Sequence, residues 1–219
     1  MGTIGRRGYK RPKQEFTEDT IQQVLAKEYM TNPKYVAYNL HIFPWESDFL
    51  LCTRAGYWYE VEIKISLADF KNDQKHKTDK YHVLENGTWR CGVGECHWID
   101  DRPVWSKFEE TPCHRPNYFS YCVPYTLVEK VKPLLPPFAG LCYVDERGML
   151  IHERGAKQLH KQKYTADELK LTEKFYYAYL NWRDKSKSWR QRERDLRAEL
   201  SWVKAEYELV AGYPVEDNL

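Results

Sequence analysis

No apolar run in this chain approaches the ~20 residues that a membrane-spanning helix needs, and its beginning lacks the apolar core of a secretory signal. The expectation is a protein of the cell interior with no membrane partner, in which the 6 cysteines are reduced thiols and not a disulfide framework. A large charge excess is also missing, since 34 Lys and Arg face 32 Asp and Glu. That balance excludes a uniformly basic, polyanion-coating protein, although the charge is unevenly spread. Acid is absent from residues 1–14, where Arg6, Arg7, Lys10, Arg11 and Lys13 stand among glycine and proline. Such a stretch reads as a flexible basic arm able to contact phosphates, with a solvated terminus as the plain alternative. Glycine and proline in turn all but vanish from Tyr164 to Gly212, which predicts uninterrupted helix there.

At 219 residues the chain has room for one domain of ordinary size and an appendage. Ile21, Val24, Leu25 and Tyr29 fall at helical spacing after Thr17 as N-cap, and Asn32-Pro33 stops that helix. Tyr35 to Phe43 predicts a first strand. Phe49-Leu50-Leu51-Cys52 predicts a second, Arg54-Ala55-Gly56 a hairpin turn, and the segment from Glu60 to Ile65 a third. Ser66 and Asp69 form a capping pair for a helix to about Leu84, with Lys71, Lys75, Lys77 and Lys80 on its polar surface. Tyr118 to Val123 and Leu141 to Val144 read as later strands, with Cys52, Cys122 and Cys142 in the core. The succession predicts an α/β protein built on a mixed sheet flanked by helices.

The third strand alternates in period two. Glu60, Glu62 and Lys64 leave one face while Val61, Ile63 and Ile65 leave the other. An edge strand with a solvated Glu/Lys face would have the same pattern. Asp48, however, stands at the mouth of the neighbouring strand, so an acid, a second acid and a lysine converge where a divalent metal and a water could be held together.

Asp48, a hairpin's length, then Glu62-Ile63-Lys64 resembles the signature of the PD-(D/E)xK nuclease superfamily, with Ser47 in place of the usual proline. The run Glu62-Ile63-Lys64-Ile65-Ser66-Leu67-Ala68-Asp69-Phe70 with Asp73 and Lys75 is similar to that of MmcB-like proteins and their phage and bacterial relatives. Tyr118-Phe119-Ser120-Tyr121-Cys122-Val123-Pro124 and Ala139-Gly140-Leu141 extend the likeness, which covers about Glu15 to Arg154. The resemblance implies a restriction-endonuclease-like fold and a Mg²⁺- or Mn²⁺-dependent hydrolase of DNA phosphodiester bonds. Its setting would be repair, recombination or phage DNA processing in the cytoplasm of a bacterium or a phage-infected cell. It implies catalytic roles for Asp48, Glu62 and Lys64, and a metal held by Asp48, Glu62 and the carbonyl of Ile63. An additional acid is left open among Glu60, Glu18 and Glu28. Lys75 and Lys77 would reach the nucleic-acid backbone, while Ser66, Asp69 and Asp73 brace the helix. The alternative is a nucleic-acid-binding accessory protein that keeps the fold without cutting.

Between about residues 85 and 117 an insertion interrupts the nuclease-like region, which is taken as 15–164. Cys91, Cys96, His97, Cys113 and His114 offer enough ligands for a structural Zn²⁺, and a thiol-rich loop is the alternative. Its tryptophans, Trp89, Trp98 and Trp105, either stack on bases or anchor the loop. Residues 165–219 read as a helical extension that opens with the capping box Thr165-Ala166-Asp167-Glu168. Phe175, Trp182, Trp189, Leu196, Val203 and Val210 recur every seven residues along it, which suits a packed helix face or a homodimer contact. Arg190 and Arg194, in its basic half, are candidate nucleic-acid contacts.

Overall fold

The computed structural model of the chain describes residues 16–29, 32–99 and 102–211. The basic arm with Arg6, Arg7, Lys10 and Arg11 lies outside the described residues. Two compact units are present, Met1–Lys170 and Leu171–Leu219. The first is an α/β unit organised around a mixed six-stranded sheet.

Its first helix, α1 (Glu18–Tyr29), starts where the sequence predicts. Thr17 Oγ1 accepts from the Thr20 amide at 3.2 Å, which satisfies one of the free N–H groups of the first turn. Three antiparallel strands follow, β1 (Pro33–Leu40), β2 (Ser47–Thr53) and β3 (Trp58–Ile63). The β2–β3 turn places Gly56 at φ +85°, a left-handed conformation that glycine adopts at little cost. Beyond β3 lie α2 (Leu67–His76), α3 (Thr78–Asn86), β4 (Thr88–Ile99), β5 (Arg102–Pro112), β6 (Tyr118–Pro124), α4 (Val128–Val131), β7 (Gly140–Val144) and β8 (Leu150–Arg154). Across the main sheet the order is β1-β2-β3-β6-β7-β8. β6 runs parallel to β3 and β7 parallel to β6, while β8 is antiparallel to β7.

This order settles the choice left by the alternating strand. β3 is interior, paired on both sides, and Glu60, Val61, Glu62 and Ile63 are all buried; the solvated-edge alternative is excluded. One face of the sheet packs Phe49, Leu51, Val61, Ile63, Cys122 and Cys142 under Ile21 and Leu25 of α1. The other packs Phe119, Tyr121 and Val123 under Phe70 of α2, Leu84 of α3 and Val131 of α4. Cys52, Cys122 and Cys142 are core residues, as expected.

Several elements depart from the sequence reading. The helix expected from Ser66 to Leu84 breaks at Lys77, whose φ of −102° and ψ of 39° are non-helical. Ser66 does cap its start, since Ser66 Oγ accepts from the Asp69 amide at 3.1 Å. Ile65 is exposed, so the buried alternation ends at Ile63. The insertion is not a loop but a long antiparallel hairpin, β4 with β5, which forms its own two-stranded sheet. Strand β8 was not anticipated.

The second unit is one helix, α5 (Leu171–Ala211), 41 residues long. The Thr165/Glu168 capping box forms, with reciprocal bonds of 3.2 and 2.7 Å. It closes only a short turn, because Lys170 takes φ +50° and the continuous helix begins one residue later. Trp182, Trp189 and Leu196 of the seven-residue stripe are solvent-exposed. No helix of the described residues is long and apolar enough to cross a membrane.

Asn117 ties the start of β3 to the segment that follows β8. Its side chain is fully buried; Oδ1 accepts from the Trp58 amide at 2.8 Å, and Nδ2 donates to the carbonyls of His160 and Gln162 at 3.0 and 2.8 Å. Asn117→Ala strands the buried Trp58 amide and releases the His160 and Gln162 carbonyls, and is expected to cost about 2–4 kcal/mol. Urea denaturation checks this; an unchanged midpoint would show that the clasp contributes nothing.

Candidate functional site

One face of β3 carries Glu60 and Glu62 and, just past the strand, Lys64. The paired helices α2 and α3 lie over that face and bring Asp73, Lys77 and Lys80 down to it. The result is a cluster of three buried acids and three lysines, of which Lys64 and Lys80 are buried and Lys77 half-exposed. Lys80 Nζ is 2.8 Å from Glu60 Oε1 and 2.5 Å from Glu62 Oε2. Lys64 Nζ is 2.9 Å from Glu62 Oε1 and 3.2 Å from Asp73 Oδ1. Lys77 Nζ reaches both Glu62 Oε1 and Asp73 Oδ1 at 2.6 Å. Trp45 Nε1 donates to Glu60 Oε1 at 2.8 Å, and the Tyr81 hydroxyl donates to Asp73 Oδ2 at 2.6 Å while also contacting the Tyr121 hydroxyl.

Burial alone would raise the Glu62 carboxyl, but the ammoniums of Lys80, Lys64 and Lys77 outweigh it and hold that carboxyl far below the usual range. Glu60, fully buried and with Oε2 unpaired, goes the other way, because burial exceeds the help from Lys80. For Lys80 burial favours the neutral amine, and Glu60 and Glu62 more than reverse that. The lysines here are therefore charged counter-ions, not free amines.

Asp48 sits at the start of β2. Its Oδ2 accepts from the Ile63 amide at 2.7 Å, which draws the ends of β2 and β3 together. Gln22 of α1 donates to the Asp48 carbonyl at 2.9 Å, to Asn39 Oδ1 at 2.8 Å and to Glu18 Oε1 at 3.3 Å, so a single amide joins α1, β1 and β2. The Asp48 carboxyl is pushed up to about 7, mainly by burial and then by Glu62, against the lowering effects of the Ile63 amide and Lys64; Glu18 adds to the rise. Glu18 is itself raised, chiefly by burial and Asp19, and it feels Glu62 and Lys64. Of the two first-helix candidates, Glu18 is the one on the Asp48 side, where it shares the Gln22 amide with the Asp48 carbonyl. Glu28 is exposed, beside Tyr29 and about 15 Å further along α1 at ~1.5 Å per residue.

These residues fit a hard divalent cation in part. Asp48 and Glu62 repel one another at the end of two paired strands, and the Ile63 carbonyl lies on the strand edge that its amide shares with Asp48. Two carboxylates and a carbonyl suffice for Mg²⁺, which keeps several waters. Among the described residues no three His, Cys, Asp or Glu side chains come close enough to hold a metal ion by themselves, so the Ile63 carbonyl and waters would have to complete the shell. Glu62 also has both oxygens engaged by lysines.

Other candidates separate. Cys91, Cys96 and His97 lie along β4, whereas the Cys113 amide bonds the Gly87 carbonyl at the foot of the hairpin. From Thr88 to Cys96 the strand runs about 26 Å at ~3.3 Å per residue, and His114 turns to the Tyr164 ring, 4.6 Å away. The five zinc candidates do not converge, because a regular hairpin holds its ends apart. Lys75 is exposed, whereas Lys77 turns inward and Lys80 is buried, contrary to the polar-surface expectation. Arg190 and Arg194 are exposed on α5, and Arg194 donates to Gln191 at 2.6 Å.

Sequence reasoning passed over Asp73 and Lys80 as parts of the cluster. A signal was there: Phe70, Asp73, Lys77, Lys80 and Leu84 follow 3- and 4-residue spacing, so three charges occupy the inward stripe between two core residues.

No protein-family model matches the chain, and no curated protein matches it. Among solved structures, a protein of unknown function from Silicibacter pomeroyi matches at 18% identity with a TM-score of 0.39, over 67% of this chain and 74% of that one.

Lys80→Met leaves Glu60 and Glu62 short of a counter-charge and is expected to cost about 3–5 kcal/mol in thermal or urea denaturation, with Glu60→Gln restoring part of it. Asp48 gives a pH signature. Its folded value, about 7, lies above its ordinary 3.8, so the folded state binds more protons between the two, and stability falls as pH rises through that window. Asp48→Asn, which still accepts from the Ile63 amide, should flatten the slope and stabilise the metal-free protein by about 2 kcal/mol at pH 8. Identical pH–stability curves for parent and variant would refute the assignment.

Proposed function

We propose that this chain is a metal-dependent nuclease of the PD-(D/E)xK kind, with a restriction-endonuclease-like sheet, that hydrolyses DNA phosphodiester bonds. The observation that carries the reading is the meeting of Asp48 with the Ile63 amide at 2.7 Å. It draws together two strands whose acids, Asp48 and Glu62, repel each other beside the Lys64 ammonium. The alternation of β3, the parallel pairing of β3 with β6 and the α1 cover support the same reading. The resemblance running from Glu62 through Phe70 suggests repair, recombination or phage DNA processing as its setting.

A bound Mg²⁺ or Mn²⁺, held by Asp48, Glu62 and the Ile63 carbonyl with Glu18 nearby, would neutralise the phosphate and acidify a water. Lys64, fixed between Glu62 and Asp73, orients the attacking water and offsets negative charge as the P–O bond breaks. Asp73 in turn is held by Tyr81 and Tyr121, which keeps Lys64 from following the substrate out. Glu60, bound through Oε1 by Trp45 and Lys80, braces the cluster.

One observation favours a second reading, DNA binding without cleavage: both oxygens of Glu62 are already taken by ammonium groups. Linear, nicked, branched and single-stranded DNA incubated with Mg²⁺ or Mn²⁺ separates the two. Cleavage that drops by about 10²-fold or more in Glu62→Ala and in Lys64→Ala supports the nuclease. Binding with no cut on any substrate leaves the accessory-protein reading standing.

A further inference from the structure

Glu62 has no exposed side-chain surface, yet it is held by three lysines that differ sharply in freedom. Lys64 and Lys80 are 7% and 3% exposed, whereas Lys77 is 40% exposed. Lys80 is fixed on all sides, by Glu60, by Glu62 and by the rings of Trp45 and Phe119 at 5.4 and 5.0 Å. Lys64 is anchored between Glu62 and Asp73. Lys77 makes equally short contacts, 2.6 Å to each acid, but it does so from the non-helical residue that joins α2 to α3, with its stem half in solvent.

A carboxylate offers about four lone-pair directions, and three are occupied at Glu62, two of them on Oε1. A divalent cation at Asp48 and Glu62 would also bring like charge against these ammoniums. Of the three, Lys77 alone has a half-exposed side chain that can turn to solvent, and the acids it leaves keep Lys64 and Lys80 as partners.

We propose that Lys77 is an exchangeable counter-ion: it holds Glu62 ionised and neutralised while no divalent cation is bound, and it vacates the carboxylate when one binds. Its ammonium, released at the α2–α3 junction, is then free for the phosphates of an incoming polyanion. This inference rests on the metal-site reading of Asp48 and Glu62. It makes Lys77 a positioning residue that sets the cation affinity of the site, in contrast to the permanently seated Lys64 and Lys80.

The full chain and its Lys77→Met variant, titrated with Mn²⁺ and followed by electron paramagnetic resonance, test it. Removing the competing cation is expected to tighten Mn²⁺ binding about tenfold and to lower the melting temperature of the metal-free protein. A second measurement needs no variant: amine acetylation of the wild-type protein read by mass spectrometry. Lys77 should label faster when Mn²⁺ or Mg²⁺ is added, with Lys64 and Lys80 protected throughout. Mn²⁺ binding that is equal or weaker in Lys77→Met, or Lys77 labelling unchanged by metal, overturns the inference and leaves the metal site intact. Binding in neither protein overturns the metal-site reading and the inference with it. Binding in the variant alone supports both.

Discussion

Glu62 carries an ionised carboxylate into the middle of the sheet with none of its side chain exposed. A charge in that position costs several kcal/mol unless opposite charges and hydrogen bonds accompany it. Much of the first unit follows from that constraint. β3 must be interior for Glu62 to be buried; α2 and α3 must then descend on the same face to bring Lys77 and Lys80; and the helix must bend at Lys77 for both ammoniums to arrive. Asp73 is needed so that Lys64 and Lys77 are not themselves in excess, and Tyr81 and Tyr121 hold Asp73. Apolar residues frame the network, with Phe70 and Leu84 on the helices and Phe119 and Tyr121 on β6. They keep water out, and so make each ion pair stronger and each missing partner more costly.

The site is asymmetric across β3. On the helix-covered side the charges are nearly balanced, and Lys64 and Lys80 are fixed. At the end of the strand, where Asp48, Glu18 and Glu62 approach, negative charge is in excess, and the carboxyl of Asp48 is pushed up to about 7. In the proposed reading, a cation site and a structural network share one residue, Glu62. The lysines that make its burial tolerable are also the groups that a metal must contend with. Active sites commonly hold such conflicts between stability and use.

How far this was legible beforehand varied with the range of the interaction involved. Thr17 as a cap, Gly56 as a turn, the β2–β3 hairpin and the alternation from Glu60 to Ile63 are local patterns, and each formed as the sequence predicts. Asp48 and Glu62 were placed together because a hairpin connects them. Lys77 and Lys80 were expected on the helix's polar surface because a lysine on a helix ordinarily faces water, and Asp73 was expected only to brace the helix; what draws all three inward is a buried acid on another element. Position along the helix likewise separates Glu18, which meets Gln22 beside Asp48, from Glu28, about 15 Å further on. The cysteine-rich insertion misled for the opposite reason. Its ligands are close in sequence, but a paired hairpin is stiff and extended, and it carries Cys96 far from Cys113.

By itself the sequence determined what depends on short-range covalent and steric rules: the α/β succession, the strand faces, the starts of α1 and α2, the basic and apolar segments, and the Asp48, Glu62 and Lys64 set. Tertiary structure alone decided which strand is interior and which lysines are counter-ions. Those outcomes depend on desolvation, and desolvation is a property of the packed whole: a carboxylate or an ammonium has the same intrinsic charge anywhere in the chain, but the cost of that charge is set by what is packed around it.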